Sequence, residues 1–175
     1  MAEFGAKHPC FKSAAKNSGV VLGKLVAANL TVTLASGELY ADDALAEELS
    51  EFARGSLAME VDNLDDDTAT EIYGAEATEG EVTYNKDDTP PEGVLGYFKT
   101  LMVSGAKKYK AFIYPRAKAA IGNDDAQTRG SSITFQTAKP TFTIMADANG
   151  DWRKTQTFDT EAAAVTYVNT ACGIT

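Results

Sequence analysis

Three side chains near the two ends of the chain are candidates for metal binding or nucleophilic chemistry. They are His8, Cys10 and Cys172, and His8 is the single histidine of the protein. A structural zinc site uses four His or Cys ligands, commonly with a Cys-x-x-Cys pair, and this set supplies three ligands without that spacing. Two thiols at opposite ends are most simply free and reduced, with a disulfide between them as the alternative. We therefore predict no metal site.

Neighbouring carboxylates are the second group of residues that could do chemistry. A catalytic pair needs burial or opposed surroundings that separate the two pKa values, and acids in loops are usually solvated. An EF-hand calcium loop needs acids at alternate positions and glycine at the sixth, which the cluster over residues 62–71 does not provide. We expect its aspartates to cap a helix. The runs are Asp42-Asp43, Glu47-Glu48, Asp65-Asp66-Asp67 and Asp87-Asp88.

Known catalytic motifs are missing from the sequence. It contains no Gly-x-Ser-x-Gly elbow, no phosphate-binding loop of the Gly-x4-Gly-Lys-Ser/Thr type and no His-Glu-x-x-His zinc helix. A single histidine also leaves few candidates for a general base. We therefore expect no catalytic residue and no cofactor, and we predict that the protein is not an enzyme. An enzyme that uses its carboxylates is the alternative, and it would need a strongly raised carboxyl pKa.

The length of 175 residues is typical of one domain, and no apolar stretch approaches the ~20 residues of a membrane span. The first 19 residues carry three lysines but no apolar run behind them, so we expect no secretory signal and a protein made in the cytoplasm.

Charge is distributed unevenly along the chain, whose net charge is −9. Residues 38–92 hold eighteen Asp or Glu against two basic residues, while the segments on both sides are mildly basic. This pattern fits either a solvated acidic face or two oppositely charged surfaces that favour head-to-tail association. The single lysine cluster, residues 107–110, is too small for a nucleic-acid groove.

Strand patterns dominate the rest of the sequence, with alternating or apolar β-branched runs bounded by turn residues. Two helices are expected, over 65–73 and over about 160–171, each with a capping residue and a glycine at its end. We predict a mainly β protein, a β-sandwich or open barrel with one or two short helices. Residues 1–19 would be an arm, and 20–175 the domain with its C-terminal helix. The expected strands cover 30–34, 38–41, 55–61, 94–103, 108–114, 131–137 and 141–146.

The order of these elements resembles the major tail (tail tube) proteins of long-tailed, non-contractile bacteriophages. The run Gly-Glu-Leu-Tyr-Ala-Asp-Asp at 37–43 resembles a signature that lies on the second strand of that family. A strand from Gly55 to Val61, an acidic helix that closes on Tyr73-Gly74 and a strand at 94–97 follow in the family's order. The resemblance covers about residues 24–145, and its motifs are short and structural.

The resemblance implies a tail-tube fold whose subunits form hexameric rings that stack head-to-tail into the tail of the virion. Strands of all subunits would join into one inner barrel. The implied partners are further copies of the chain, a tape-measure protein inside the tube, the tail terminator, and baseplate or distal tail proteins. DNA would pass through an acidic lumen without specific binding, because carboxylates repel phosphate.

Under this resemblance, the acidic segment 42–51 would be a ring-stacking loop that meets a lysine cluster on the next ring. The alternation over 56–61 places Leu57, Met59 and Val61 in the core and Ser56 and Glu60 toward the lumen, unless a bulge at Gly55 changes the register upstream. The ring-stacking candidates are Asp42, Asp43, Glu47, Glu48, Glu51, Lys107, Lys108 and Lys110.

Two other functions fit the same composition. One is a different phage or secretion-system tube subunit or a decoration protein, which would share the acidic, β-rich character. The other is a small ligand-binding β-barrel, which would need a concave apolar pocket and would stay monomeric.

Overall fold

The computed structural model describes residues 2–41, 44–78, 80–121 and 137–175, and for residues 39–41 and 44–46 it describes the backbone alone. The predicted mainly β class is confirmed. The elements, in chain order, are β1 Ala2–Ser13, β2 Val20–Val21, β3 Leu25–Ala41, β4 Ala44–Val61, α1 Asp66–Tyr73, β5 Glu76–Thr78, β6 Glu81–Thr83, β7 Glu92–Val103, β8 Ala106–Ala120, β9 Thr141–Ile144, β10 Lys154–Phe158 and α2 Glu161–Ala171.

One large antiparallel sheet organises the described chain. Its strands follow the order β2-β1-β7-β8-β9-β4-β3, and β10 pairs with β8 beside β9. The sheet curls on itself. As a result, the ring centroid of Phe11 on β1 lies 5.6 Å from that of Phe142 on β9, three strands away in the sheet. Strands β5 and β6 form a separate small hairpin. The result matches a β-sandwich or open barrel.

The concave face of the curled sheet holds the main core. Tyr97 packs between the rings of Phe112 and Tyr114, with centroid distances of 5.3 and 6.2 Å. Burying each large apolar side chain stabilises the fold by roughly 1.5–3 kcal/mol, so this cluster dominates its stability. The cluster includes Phe11, Leu22, Leu57, Met59, Val61, Ile72, Leu95, Phe142 and Ile144.

Helix α2 covers the outer face of the sheet over a second, smaller cluster that includes Phe98, Ile113 and Val168. The Thr160 side chain accepts from the Ala163 N–H at 3.3 Å and caps the helix; of the two candidate caps in the sequence, Asp159 and Thr160, it is the second that does so. The helix approaches the sheet closely at Gly96, where a Cβ atom would lie 3.1 Å from a Val168 methyl group.

Helix α1 closes one end of the core through the fully buried Ile72. The predicted caps are confirmed: Asp65 accepts from the Thr68 N–H at 2.8 Å, and Gly74 ends the helix with φ of 72°. Hydrogen bonds from Thr68 lower the pKa of the Asp65 carboxyl, because they stabilise its charged form. Both helices were predictable because their capping signals are local.

The N-terminal segment differs from the expected arm. Residues Ala2–Ser13 form strand β1 inside the large sheet, and Phe11 is fully buried in the main core. Two irregularities in the β1–β7 pairing, near Gly5 and His8, break the alternation of buried and exposed side chains. Both residues have positive φ, 62° and 58°. The strand is therefore difficult to recognise from a period of two.

Among the later predicted strands, 94–103 and 108–114 form the hairpin β7–β8 with its turn at Ser104-Gly105. Strand β9 begins directly after Pro140, a position where a residue without an N–H is tolerated. Residues 131–136 of the expected strand 131–137 lie outside the described residues.

Candidate functional site

The outer half of the β3–β4 hairpin extends beyond the rest of the sheet. Strand β9 pairs with β4 from Gly55 to Ala58, and before Gly55 the described part of β4 pairs with β3 alone. Nearly all side chains described from Thr31 to Arg54 are exposed, with Phe52 half-buried. Residues 31–54 are called the hairpin arm below.

An apolar stripe runs along one face of the hairpin arm. Val32, Leu34 and Phe52 continue the face of Leu30 and Leu57, which packs into the core. Val32 is 38% exposed and Leu34 is 56% exposed, so the core-facing side of the hairpin continues into solvent. Exposed apolar surface that is continuous with a core is typical of a contact surface.

A bulge at Ala53 brings Phe52 into this stripe. Thr33 pairs with Arg54, but the next pair is Leu34 with Phe52, so Ala53 is an extra residue in β4. One extra residue moves every preceding side chain of the strand to the opposite face. Simple alternation would place Phe52 beside Ser56, away from the core face. The sequence allowed for a bulge at Gly55 that would change the register upstream. The structure has the bulge two residues earlier, at Ala53.

The base of the hairpin arm is held by a stack of three side chains. The rings of Phe52 and Trp152 lie 4.5 Å apart and 7° from parallel, and the Arg153 guanidinium lies 4.6 Å from the Trp152 centroid on the indole. Stacked aromatic pairs contribute about 0.5–1.5 kcal/mol beyond the area that they bury. This stack connects the arm to the β9–β10 connection.

Acidic side chains concentrate near the tip of the hairpin arm. Glu47, Glu48 and Glu51 are exposed, and Leu49 between them is 63% exposed. The structure thus places three of the five acidic stacking candidates together. The other two, Asp42 and Asp43, lie outside the described residues.

The three candidate lysines differ in their surroundings. Lys107 is exposed, Lys108 forms an ion pair with Asp159, and the Lys110 ammonium lies 5.5 Å from the Phe112 ring centroid. Strands β4 and β8 both run antiparallel to β9 and are therefore parallel to each other. The arm tip lies at the start of β4 and the lysines lie at the start of β8, so both are at the same end of the sheet. Lys107 is therefore the lysine most available to a second molecule.

Ser56 and Glu60 lie on the face of β4 opposite the buried Leu57, Met59 and Val61. Ser56 is exposed, and the Glu60 carboxylate accepts a hydrogen bond from the Thr137 hydroxyl. The predicted core side of this strand is confirmed by these burials. The orientation of Ser56 and Glu60 toward a lumen stays a prediction.

Strand β3 is an edge strand over its 17 residues, because β4 is its one partner among the described strands. Backbone N–H and C=O groups along the outer side of an edge strand can pair with another strand. Proteins usually protect an exposed sheet edge by keeping the edge strand short or by placing proline or bulges in it. The bulge at Val26 lies near the start of β3, and the hairpin arm contains no proline.

The acidic cluster before α1 is satisfied by backbone groups. Asp62 accepts from the Lys24 and Asn63 N–H groups at 2.6 and 2.9 Å. Glu71, from the other end of the cluster, is buried and accepts from the Ser13 N–H at 3.0 Å and from Lys16. Within the described ranges, no group of three or more His, Cys, Asp or Glu side chains is arranged to hold a metal ion.

The structure brings His8, Cys10 and Cys172 together between β1 and the end of α2. His8 Nε2 lies 2.6 Å from Asn169 Oδ1, and the Cys10 thiol is directed at the His8 carbonyl oxygen at 3.6 Å. Cys10 is fully buried, and a hydrogen bond with Cys172 together with burial raises the pKa of its thiol. A buried thiol with a raised pKa is a poor nucleophile.

Sequence reasoning missed two features described above, the support of the hairpin arm by Trp152 and strand β1. The role of Trp152 was missed because its partner Phe52 lies 100 positions away and no local signal joins them. Strand β1 was missed because its bulges hide the strand period. The acidity of the arm was visible directly from composition.

A comparison with protein-family models and with curated proteins found no match to this chain. In the described part of the chain, neither helix combines the length and the apolar content that crossing a membrane requires.

Proposed function

We propose that this chain is a structural subunit that assembles with copies of itself, and that the assembly is the tail tube of a long-tailed bacteriophage. The observation that carries the self-assembly is the hairpin arm, which presents an apolar stripe, an acidic tip and an edge strand whose one partner among the described strands is β4. The phage tail as the assembly rests on the sequence resemblance described above.

The hairpin arm is difficult to explain in an isolated monomer. Two-stranded ribbons are marginally stable in water unless another strand or surface covers one of their faces. The arm has that support at its base, through Phe52 and Trp152, and its remaining described side chains are exposed. A neighbouring subunit that covers the apolar stripe and pairs with β3 would provide the missing support.

The dimensions of the arm favour contact with a neighbouring copy over contact within one subunit. From Ala44 to Arg54, strand β4 spans roughly 35 Å at 3.3 Å per residue. A rigid extension of that length can bridge between stacked or adjacent subunits. Under this proposal, the arm of one subunit would contact a neighbouring copy, and the acidic tip would meet basic groups such as Lys107 on a copy beside it, because the tip and Lys107 lie at the same end of the sheet.

The charge distribution is compatible with a conduit for DNA. The net charge is −9, and phosphate binding requires clustered cations that this chain mostly lacks. A tube built from such subunits would let a duplex pass, with a tape-measure protein inside and terminator and distal tail proteins at its ends. In this role the protein has no catalytic residue and needs no cofactor.

Negative-stain electron microscopy of the concentrated protein tests the proposal. We expect hollow tubes or rings with six-fold symmetry, together with a concentration-dependent increase of mass in analytical ultracentrifugation. A protein that stays monomeric at all concentrations, with and without a tail-initiation complex, would overturn the proposal and favour the ligand-binding barrel.

A matched deletion shows whether the hairpin arm carries the assembly. Replacing residues 35–51 by Asn-Gly joins Leu34 to Phe52, which are paired in the structure, through a two-residue turn. We expect a folded monomer, because the described side chains of this segment do not belong to either core cluster. The control shortens the exposed β5–β6 hairpin, and it should leave assembly intact.

A further inference from the structure

The two cysteines approach each other across the fold, although 162 positions separate them in the chain. The Cys172 thiol is directed at the Cys10 carbonyl oxygen at 3.5 Å, and the two side chains belong to one buried cluster. Gly96, which pairs with Cys10 in the β1–β7 ladder, lies directly below the Cys172 sulfur, 3.5 Å from where its Cβ would be. Both sulfurs therefore lie at the same level of the sheet.

We propose that Cys10 and Cys172 form a dithiol–disulfide pair, and that its oxidised form covalently fastens helix α2 to strand β1. Both cysteines are free in this structure and both are fully buried. From the sequence alone, a disulfide between the two cysteines was the alternative to two independent thiols. The contact between Cys172 and Cys10 in the structure favours the disulfide. The proposal stands independently of the proposed function.

The end of α2 provides the route by which an oxidant reaches the pair. Cys172 is the C-cap of the helix, and three residues follow it. The last turn is held by the Ile174 N–H, which donates to the Asn169 carbonyl at 2.9 Å, and by the side chain of Ile174, which packs on the cluster. The last turn of a helix opens locally more readily than core strands, so opening of this turn exposes the Cys172 thiol before the Cys10 thiol.

The reaction is a pair of thiol–disulfide exchanges with a small-molecule disulfide such as oxidised glutathione. The Cys172 thiolate attacks one sulfur of the oxidant, and one glutathione thiolate leaves. The Cys10 thiolate then attacks the Cys172 sulfur of this mixed disulfide and expels the second glutathione. The two protein thiols are oxidised, the oxidant disulfide is reduced to two thiols, and the two protons of the cysteines end on the glutathiones. The raised pKa of the Cys10 thiol agrees with Cys172 as the first nucleophile.

Oxidation would close nearly the whole chain into one covalent loop. Cross-links over long loops restrict the unfolded state most, and for a domain of this size the expected increase of Tm is about 10 °C. The bond also prevents α2 from leaving the outer face of the sheet.

The test equilibrates the full-length protein in buffers of rising oxidised-to-reduced glutathione ratio, followed by acid quenching, denaturation and alkylation. We expect a monomer that has lost two hydrogens by intact mass, has no alkylated cysteine and melts about 10 °C above the reduced protein. Two alkylated cysteines in the most oxidising buffer, a glutathione adduct alone, a disulfide-linked dimer or an unchanged Tm would each overturn the proposal.

Three variants sharpen this test. Cys172→Ala should abolish the oxidant-dependent rise of Tm, and the wild-type comparison decides the question if this variant does not fold. Ile174→Pro removes the N–H that holds the last turn and should speed oxidation several-fold, while Thr175→Ala, at the exposed terminus, should not. Equal oxidation rates in the two variants would overturn the access route through the last turn.

Discussion

Glu71 is a buried carboxylate in an otherwise solvated acidic region. Its side chain is 2% exposed and joins α1 to the end of β1 through the Ser13 N–H and the Lys16 ammonium. Removing the charge of a buried, paired group weakens its hydrogen bonds and leaves its partners poorly satisfied.

We predict that Glu71→Gln lowers the free energy of unfolding by about 1–3 kcal/mol. The measurement is urea denaturation at neutral pH. Asp67→Asn, an exposed acid on the same helix, is the matched control and should change stability by less than about 1 kcal/mol. Equal effects of both variants would contradict a structural role for the Glu71 contacts.

Buried tyrosines set the stability of the protein at alkaline pH. Burial raises the pKa of Tyr97, Tyr114 and Tyr73, because the charged phenolate is poorly solvated inside the protein. The folded state therefore holds phenol protons that the unfolded state loses above its ordinary pKa near 10. This contribution is fully present below about pH 10 and is lost as pH rises above it.

We predict that the free energy of unfolding decreases steeply as pH rises from about 10 to 11. Denaturation in urea at a series of pH values measures the slope. Tyr114→Phe should flatten the slope, because it removes one phenol whose pKa is raised in the folded state. A slope that is the same in the wild type and in Tyr114→Phe would contradict the assignment.

At the scale of the elements, the bulge at Ala53 decides which side of the hairpin arm is apolar. It places Phe52 against Trp152, the single tryptophan of the chain. Trp152 fluorescence therefore reports directly on the register of the arm.

We predict that Phe52→Ala shifts Trp152 emission to longer wavelength, because it uncovers the indole. Deletion of Ala53 should leave the emission near that of the wild type, because a ladder without the extra residue still pairs Phe52 with Leu34. Leu49→Ser, farther along the same strand, is the control and should also leave the emission unchanged. A large shift after the deletion would show that Ala53 is not the extra residue of the ladder.

The elements also show which parts of the fold could be predicted from sequence. Both helices were predicted because capping residues lie within a few positions of the ends that they mark. Strand β1 and the face of Phe52 were not, because each depends on a bulge, and a bulge is decided by the partner strand. The acidic tip was visible in composition, whereas the Lys108–Asp159 pair joins residues far apart in the chain.

At the scale of the whole molecule, two charged surfaces of the described residues are available to a second copy. One is the hairpin arm, and the other is the turn between β7 and β8 with Lys107. The arm carries Glu47, Glu48 and Glu51, and Lys107 lies at the turn of the β7–β8 hairpin. Attraction between exposed charges is screened by salt, with a Debye length near 8 Å at physiological ionic strength. Their contribution to assembly is therefore sensitive to both charge and salt.

We predict that the triple substitution Glu47→Lys, Glu48→Lys and Glu51→Lys raises the protein concentration needed for assembly about tenfold or more, most clearly at low salt. Sedimentation velocity measures that concentration. Adding Lys107→Glu and Lys110→Glu should restore part of the loss if these surfaces meet. Assembly that is unaffected by the triple substitution would show that the tip does not contribute to the contact.

The hairpin arm contributes little to either core cluster beyond its base at Phe52, so its tip can change without loss of the fold. Under the proposed function, the stability of the fold and the specificity of binding therefore depend on different parts of one chain. Drift in the tip would re-target the subunit to a new neighbour while the body stays constant. The same separation makes the tip a practical position for inserting foreign peptides, with loss of assembly rather than misfolding as the first sign that an insert is too large.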